Sequence, residues 1–295
     1  TLLCKMENTE TIKIIECPRD SMQGWPHFIP TQKKIEYINA LISVGFNTID
    51  FGSFVSPKAI PQMADTAEVL KGLLINTQTS LLAIIANLRG AREAVIHDAV
   101  AYLGYPFSIS ETFQLRNTGS SIKASFDNVK EIQELCVKNK KSLVVYLSMG
   151  FGNPFGDPYH TDTVTQWMDE LATLDISIIS IADTVGLAQP EKIHSLLSSV
   201  IPLFPLIEVG VHLHSTKKNI PSIIEAALTA GCRRFDGAIK GIGGCPMAGN
   251  ELVGNIDTEM MIQAIEEKCF DTGINKIAFS ACTSLASSVF EDKGP

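Results

Sequence analysis

The sequence lacks the features that mark several large classes of protein. Its seven cysteines are an odd number and form no CxxC pair, which argues against a disulfide framework or a structural zinc knuckle and favours free thiols. No apolar run reaches the length of a transmembrane helix, and residues 1–13 lack the basic and apolar regions of a secretory signal. We therefore expect a cytoplasmic protein that has no membrane partner.

Positive charge is also scarce. The chain carries 24 Lys and Arg against 32 Asp and Glu, a formal charge of −8, and its lysines and arginines form no block. An acidic chain without basic blocks is a poor candidate for binding polyanions. We therefore predict that nucleic acid is not a partner.

What the chain does have is a regular alternation of short apolar runs and amphipathic stretches. In 295 residues we count eight strand–helix units that recur roughly every thirty residues, with continuous apolar strands of the kind found in a covered parallel sheet. An open doubly wound sheet would need a glycine-rich loop after its first strand, and ECPRDSMQGW is not one. The pattern predicts an α/β fold, a (β/α)₈ TIM barrel. The predicted strands cover residues 12–17, 47–52, 80–86, 99–105, 142–148, 176–183, 208–214 and 233–239.

The domain organisation follows from the same pattern. No stretch rich in Pro, Gly and Ser separates two halves of the chain, so we expect one domain over residues 1–295. The barrel pattern ends near residue 273. We expect the rest to be a C-terminal helical extension.

Two histidines stand one residue apart at the end of the predicted strand EVGVHLH. Residues i and i+2 of a strand point to the same face, so His212 and His214 share a face. They could be two ordinary buried histidines. Active residues of TIM barrels, however, lie at the carboxyl ends of the strands, where Asp20 of the first strand can approach. Imidazole with carboxylate and amide oxygens suits Mg²⁺ or a first-row divalent metal.

Other polar residues lie at or just after the ends of predicted strands. Each also has an interpretation without function: a surface ion pair for Arg19 with Asp20, helix caps for Asp50 and Asp183, a loop residue for Asn255. Glu16 is either an acceptor for a metal-bound histidine or a partner of Arg19. Cys245, between glycines and a proline, is either an inert thiol or a reactive one in a loop able to move. The residues at this rim are Arg19, Asp20, Asp50, Asp183, His212, His214, Cys245 and Asn255.

Five segments resemble a known family. PRDSMQ, SFVSPKAIPQMADTAEVLKG (53–72), ADTVG (182–186), VHLH and GIGGCPMAGNELVGNIDTE are similar to signature segments of the 3-hydroxy-3-methylglutaryl-CoA lyases, members of the DRE-TIM metallolyase superfamily. The stretch 53–72 is the most specific match. The resemblance covers about residues 12 to 275.

The resemblance implies roles for the rim residues. Arg19 would steady the substrate carbonyl and the developing enolate, Cys245 would exchange protons, and His212 or Asp50 would act as the base. Glu16 and Asp183 would lie in the shell of residues around these groups. The implied ligands of a divalent metal ion, Mg²⁺ or Mn²⁺, are Asp20, His212, His214 and Asn255.

The resemblance also implies a reaction. An acyl-CoA substrate, 3-hydroxy-3-methylglutaryl-CoA or a close 3-hydroxyacyl-CoA, would be cleaved to acetyl-CoA and acetoacetate, a step of leucine catabolism and ketone-body formation. A homodimer is implied, and a mitochondrial matrix location if the source is eukaryotic. Two alternatives stay open: a Claisen-condensing acyltransferase of the same superfamily, and a barrel that has lost catalysis and acts as a binding protein. The match over 53–72 and the cysteine loop favour the lyase.

The chain departs from the family pattern at the rim. The segment after the histidines reads HLHSTKKN, with Ser215 in place of an acidic residue, Asp50 replaces a Glu, and the cysteine loop has an extra residue. Lys217 and Lys218 have two interpretations: a positive rim that attracts the phosphates of coenzyme A, or the solvated first turn of a helix.

Overall fold

Eight parallel strands close into a barrel. The computed structural model describes residues 10–244 and 253–291. Each strand pairs with the next along the chain, and β8 pairs with β1 through Lys13↔Arg234 to Glu16↔Gly237. The predicted (β/α)₈ barrel is confirmed. Its strands are β1 (Lys13–Glu16), β2 (Thr48–Ser53), β3 (Ser80–Ile84), β4 (Val100–Ser108), β5 (Ser142–Ser148), β6 (Ile178–Ala182), β7 (Glu208–His212) and β8 (Arg234–Gly237).

Helices surround the barrel. Across the described ranges, none is long and apolar enough to cross a lipid bilayer. The helices are α1 (Pro18–Gln23), α2 (Thr31–Val44), α3 (Thr66–Lys71), α4 (Leu88–Val95), α5 (Glu111–Thr118), α6 (Ile122–Lys138), α7 (Thr161–Ala172), α8 (Pro190–Leu203), α9 (Ile220–Thr229), α10 (Thr258–Glu267) and α11 (Lys276–Val289). Short 3₁₀ turns cover Pro61–Met63, Lys217–Asn219 and Ile239–Gly241.

Local sequence signals set most of these boundaries. Predicted strand 142–148 coincides with β5, and α2 ends at Gly45, which adopts the left-handed conformation (φ 87°) that glycine tolerates best. Ser110 and Ser121 cap α5 and α6 by accepting backbone N–H bonds. Lys217 and Lys218, for which the first turn of a helix was one interpretation, lie in a 3₁₀ turn that is followed by α9.

Two helices, α1 and α5, were not predicted from the sequence, and α1 corrects the expected position of Arg19 and Asp20. Arg19 and Asp20 do not end a strand: β1 stops at Glu16, and both residues lie in α1. Pro18 begins that helix, where a missing N–H costs nothing because the first turn has no acceptor for it. Asp50 also lies inside β2 rather than at its end. The second unexpected helix is α5.

The barrel interior is divided into an apolar and a charged part. Leu82, Ile84, Val144, Tyr146 and Ile178, from β3, β5 and β6, form a small buried cluster, whereas the much larger core includes the contacts between strands and helices. Next to this cluster, β7 and β8 contribute Glu208 and the fully buried Arg234. Buried charge inside a barrel is costly unless it is paired.

The C-terminal extension is helix α11, which packs on α2. Phe279 of α11 contacts Phe46 with ring centroids 6.1 Å apart. Phe290, which follows α11, contacts Trp25 and Tyr37 at 5.2 and 6.0 Å. Edge-to-face aromatic pairs of this kind fix relative orientation as well as burying area. The predicted helical extension is confirmed.

The cysteines meet the expectation only in part. Cys17, Cys136, Cys232 and Cys282 are free and buried. Cys269 is disulfide-bonded, so the expectation of free thiols is wrong at that position. Spacing rules such as CxxC detect local pairs only, whereas the fold brings distant positions together.

Glu16 joins the first strand to the last strand–helix unit. Its carboxyl accepts the backbone N–H of Ile239 at 2.9 Å and the hydroxyl of Thr258 at 2.6 Å. The side chain is fully buried, and burial raises its pKa from 4.5 to about 8, although both hydrogen bonds work against that rise. The folded protein therefore favours the protonated carboxyl at neutral pH.

This pKa predicts a pH-dependent stability. Between pH 4.5 and about 8 the folded state holds a proton that the unfolded state has released, so the contribution of Glu16 is full at low pH and is lost as pH rises. Glu16→Gln, which mimics the protonated form, should flatten the fall in unfolding free energy, by a few kcal/mol at most at about 1.4 kcal/mol per pKa unit. Urea unfolding from about pH 5 to about pH 9 measures it. Glu267→Gln, exposed on α10, is the control, and parallel curves for wild type and Glu16→Gln would contradict the prediction.

Candidate active site

A cavity of about 260 Å³ opens at the carboxyl-terminal mouth of the barrel. Five residues that the sequence placed at this rim line it together: Arg19, Asp20, Asp50, His212 and His214. The remainder of its lining is mostly apolar, with a few amide and hydroxyl groups. Those residues are Gln23, Val55, Ala59, Ile60, Ile84, Ala86, Pro106, Phe113, Asn117, Thr118, Tyr146, Ser148, Ala182 and Thr184.

Arg19 is fixed by two carboxylates. Its Nε donates to Oδ1 and Oδ2 of Asp50 at 3.2 and 3.0 Å, and its Nη2 lies 2.5 Å from Asp50 Oδ2. Its Nη1 donates to Asp20 Oδ1 and Gln23 Oε1, both at 2.9 Å. The guanidinium is almost fully buried, so these bonds hold a positive charge in one orientation at the cavity wall.

The two carboxylates differ in pKa because their surroundings differ. Burial raises the pKa of Asp50 to about 6, and Arg19 offsets part of that rise. Burial also opposes ionisation of Asp20, but the charges of Arg19 and then His212 outweigh it, and its pKa lies below the ordinary value. Asp20 is therefore ionised at neutral pH, whereas Asp50 can exchange a proton near neutrality.

His212 and His214 face each other, as the HLH spacing predicted. Their ring centroids are 5.2 Å apart. Nδ1 of His212 lies 3.1 Å from Asp236 Oδ2, and Nδ1 of His214 lies 3.0 Å from the carbonyl of Val253. Burial, followed by the charge of His212, lowers the pKa of His214 to about 4. With both Nδ1 atoms occupied, each ring has Nε2 left for a ligand.

Asn255 completes this group from the segment after β8. It forms an isolated bridge with His214, and its Nδ2 donates to Asp20 Oδ2 at 2.6 Å and to the carbonyl of Ile242 at 3.0 Å. Its Oδ1 is buried and has no hydrogen-bond partner within residues 10–244 and 253–291. A buried amide oxygen beside a carboxylate and two imidazole nitrogens is a donor set that fits a divalent cation.

A second group of possible ligands overlaps the first at His212. Ligand atoms of Cys17, His212 and Asp236 lie within 4.8 Å of one another. Neither Cys17 nor Asp236 lines the cavity. Burial, and then the negative charge of Asp236, raises the pKa of the Cys17 thiol well above its ordinary value, which disfavours the thiolate that a metal needs. Asp236 instead orients His212 through Nδ1.

Two of the predicted site residues, Glu16 and Asp183, lie elsewhere. Glu16 bonds to Ile239 and Thr258, and Asp236 takes the place beside a histidine that Glu16 was considered for. Asp183 accepts the backbone N–H groups of Leu187 and Ala188, both at 2.8 Å, and does not line the cavity. Cys245 lies outside the described residues.

The sequence reasoning missed several residues of the site. Asp236 lies in β8, one residue before the strand ends, so the rule that found Asp50 and Asp183 could have found it. Gln23, which donates to Asp20 at 2.8 Å, lies within the PRDSMQ segment. Phe113, Asn117 and Thr118 belong to α5, which was not predicted because its apolar residues do not form a clear helical face.

The altered segment after the histidines also has a defined place. Lys217 begins a 3₁₀ turn, and its Nζ lies 3.2 Å from Asp257 Oδ2, with most of the side chain exposed. A neighbouring carboxylate neutralises part of the charge that Lys217 adds to the rim. Whether these lysines attract an anionic substrate stays a prediction.

The fold and the site together define a class: a (β/α)₈ barrel with a buried arginine–carboxylate pair and a group of possible metal ligands at its mouth. A family model described as HMGL-like matches residues 12–286. The chain therefore belongs to the HMGL-like family.

Relatives of known name support this membership. The chain is 31% identical over 260 residues to the hydroxymethylglutaryl-CoA lyase YngG of Bacillus subtilis, covering 87% of this chain and 85% of that protein. It is 32% identical to the cytoplasmic 3-hydroxy-3-methylglutaryl-CoA lyase of Homo sapiens, covering 90% and 72% of the two chains.

Solved structures agree. An HMG-CoA lyase from Acinetobacter baumannii, in complex with coenzyme A and 3-methylmalate, is 34% identical with a TM-score of 0.88, covering 95% of this chain and 91% of that one. The carboxyl transferase domain of Rhizobium etli pyruvate carboxylase, 14% identical with a TM-score of 0.69, shares the fold alone; the match covers 100% of this chain and 50% of that one. These relatives favour the lyase over the condensing and non-catalytic alternatives.

The geometry of Arg19 predicts how the site responds to its loss. Arg19→Met leaves Asp50 and Asp20 buried without their shared counter-charge, so we expect the unfolding free energy to fall by about 3 kcal/mol. The double variant Arg19→Met/Asp50→Asn removes one stranded carboxylate and should be more stable than Arg19→Met alone. Denaturant unfolding at neutral pH measures both, with the exposed Arg92→Met as control. A double variant no more stable than the single one would show that Asp50 does not depend on Arg19.

Proposed function

We propose that this chain cleaves 3-hydroxy-3-methylglutaryl-CoA, or a close 3-hydroxyacyl-CoA, to acetyl-CoA and acetoacetate. One observation carries the proposal: a single cavity brings the Arg19–Asp50 pair beside Asp20, His212 and His214, in a chain of the HMGL-like family. The names of the relatives and the coenzyme A in one solved relative support an acyl-CoA substrate. A homodimer and a cytoplasmic or mitochondrial location stay predictions, as does a single domain over residues 1–295.

The ligands of the divalent cation, Mg²⁺ or Mn²⁺, are proposed to be Asp20, His212, His214 and Asn255. The free Oδ1 of Asn255 and the Nε2 atoms of both histidines support this set. Such a cation would supply positive charge beside the hydroxyl and carboxylate oxygens of the substrate and so lower the pKa of the hydroxyl.

The reaction is a retro-aldol cleavage of the Claisen type, in which the leaving fragment is a thioester enolate. The hydroxyl on C3 of the acyl chain gives up its proton, its oxygen becomes the ketone of acetoacetate, and the bond between C2 and C3 breaks. The electron pair of that bond passes to the C2 fragment, which leaves as the enolate of acetyl-CoA. Proton transfer to C2 then completes acetyl-CoA. The protein must therefore supply a base, a positive charge near the enolate oxygen, and an acid.

Asp50 fits the base better than His212. Nδ1 of His212 is bonded to Asp236, so its single remaining nitrogen cannot both hold a cation and take a proton. Asp50 lines the cavity, and its pKa of about 6 suits proton exchange near neutral pH. Its carboxylate is held by Arg19, which fixes its position at the cavity wall.

Arg19 is proposed to stabilise the enolate. Its guanidinium is oriented before the substrate arrives, and a preorganised charge in a buried site stabilises developing negative charge more than water does. Cys245 stays the predicted proton donor to C2.

The function is tested by product formation from purified protein. With 3-hydroxy-3-methylglutaryl-CoA and Mg²⁺ or Mn²⁺, acetyl-CoA and acetoacetate should appear in equal amounts, and a chelator should stop the reaction reversibly. Asn255→Ala should weaken Mn²⁺ binding, followed by equilibrium dialysis, by about 10-fold or more. Absence of cleavage with every cation, for this substrate and a panel of 3-hydroxyacyl-CoA thioesters, would refute the function. Unchanged Mn²⁺ binding in Asn255→Ala would remove Asn255 from the ligand set.

Arg19 should matter mainly in the transition state. We expect Arg19→Met, measured where it remains folded, to lower kcat by about 100-fold or more while KM and Mn²⁺ affinity change little, because the enolate charge exists only during the reaction. Steady-state kinetics beside Arg92→Met measure this effect. A kcat near that of the wild type would remove Arg19 from the mechanism.

A further inference from the structure

Five buried polar atoms in the barrel interior have no hydrogen-bond partner among the residues that the structure describes. They are Oη of Tyr146, Oγ of Ser180, Nε and Nη2 of Arg234, and Oδ1 of Asp236. An unpaired buried polar group costs free energy, and a buried charge costs more, so such a concentration requires an explanation. The reaction proposed above assigns a step to none of these four side chains.

The strand register places three of these side chains together. Tyr146 of β5 pairs with Ser180 of β6, which pairs with Gly210 of β7. A Cβ on Gly210 would lie 2.8 Å from Cδ of Arg234, so the arginine runs across the face of Gly210 where no side chain blocks it. The guanidinium therefore extends along the row that contains Ser180 and Tyr146.

The Arg234 side chain forms an ion pair with Glu208, which lies two residues before Gly210 on β7. Its Nη1 donates to Glu208 Oε1 at 3.1 Å, and the residue is 1% exposed. Asp236 lies two residues further along β8 and so points to the same face. Burial works against the charged form of Arg234 and is the largest single influence on its pKa. Asp236, Tyr146 and Glu208, of which Asp236 is the strongest, together outweigh burial and raise that pKa.

Asp236 and Tyr146 are also neighbours of His212. Asp236 Oδ2 lies 3.1 Å from Nδ1 of the ring, and the Tyr146 ring meets the imidazole edge to face with centroids 5.8 Å apart. The orientation of His212 in the cavity therefore depends on two side chains that interact electrostatically with Arg234.

We propose that Arg234 is a positioning residue of the active site. It restrains Asp236 and Tyr146, and these two hold the ring of His212 in the orientation and tautomer that leave Nε2 free toward the cavity. Ordered water bonded to Arg234, Ser180 and Asp236 completes the network. Water fits better than an ion because the positive charges of Arg234 and Lys13 already balance the carboxylates of Glu208 and Asp236. The unpaired atoms also include both donors and an acceptor.

The first test reads the tautomer of His212 directly. Long-range ¹H–¹⁵N correlation spectra of the full chain, labelled at histidine nitrogens and recorded with a chelator at alkaline pH, distinguish Nδ1–H from Nε2–H rings. The His212 signals are assigned by their loss in His212→Asn. In the wild type we expect the Nδ1–H form, donated to Asp236. In Arg234→Met we expect a mixture of both forms.

Matched variants separate positioning from simple stabilisation. Arg233 is the neighbouring arginine on the outer side, bonded to Glu10 and to backbone carbonyls, so Arg233→Met should leave the His212 signals unchanged. Asp236→Asn should reproduce the mixture seen with Arg234→Met, and Arg234→Lys should restore part of the wild-type form. Should Arg234→Met not fold, Arg234→Gln removes the charge while keeping donors.

The kinetic test rests on the proposed function, whereas the spectra do not. We expect Arg234→Met to lower kcat for acyl-CoA cleavage by about 10-fold with little change in KM, and Arg234→Lys to recover part of that loss. If the protein cleaves no acyl-CoA, the proposed function fails and the spectra still decide the role of Arg234. A folded Arg234→Met or Arg234→Gln variant with wild-type His212 signals would overturn the proposal, because the arginine would then serve only its pair with Glu208.

Discussion

Pairing of the last strand with the first is the contact on which the site depends. β8 runs beside β1 over four residue pairs, and Glu16 strengthens the junction by accepting bonds from Ile239 and Thr258. This closure brings Asp20, which follows β1, within 2.6 Å of Asn255, which follows β8, although 235 positions separate them in the chain. An open sheet of the same strands would leave these groups at opposite edges.

The charged groups buried at the closed mouth of the barrel depend on one another, because each is stabilised by a partner of opposite charge or by a hydrogen bond. Arg19 forms ion pairs with both Asp50 and Asp20, and Asn255 and Gln23 complete the bonds of Asp20. Removing one partner would strand a charge in low dielectric, which is more costly than the pair itself is stabilising. The same interactions give Asp20 and Asp50 different pKa values, so that Asp20 remains ionised and Asp50 can exchange a proton near neutral pH.

Several features could be predicted because they depend on local chemistry. The apolar runs identified every strand of the barrel, with β5 located to the residue, because a covered parallel strand is apolar throughout. The HLH spacing placed both histidines on one face, since side chains alternate along a strand. The motif PRDSMQ supplied Arg19 and Asp20, though not the helix that carries them, because Pro18 marks a helix start only when the preceding strand is known to end.

By itself, then, the sequence determined the strands and the order of the units, and it supplied the four residues that are proposed as cation ligands. Only the tertiary structure decided which polar groups meet. His212 is hydrogen-bonded to Asp236 rather than to Glu16, and Asp183 accepts a backbone bond from Leu187 in the loop after β6. It also brought Arg234 across Gly210 into the barrel. These outcomes depend on register and closure between distant strands, where a shift of one residue reverses the face of every side chain, and local spacing carries no information about them.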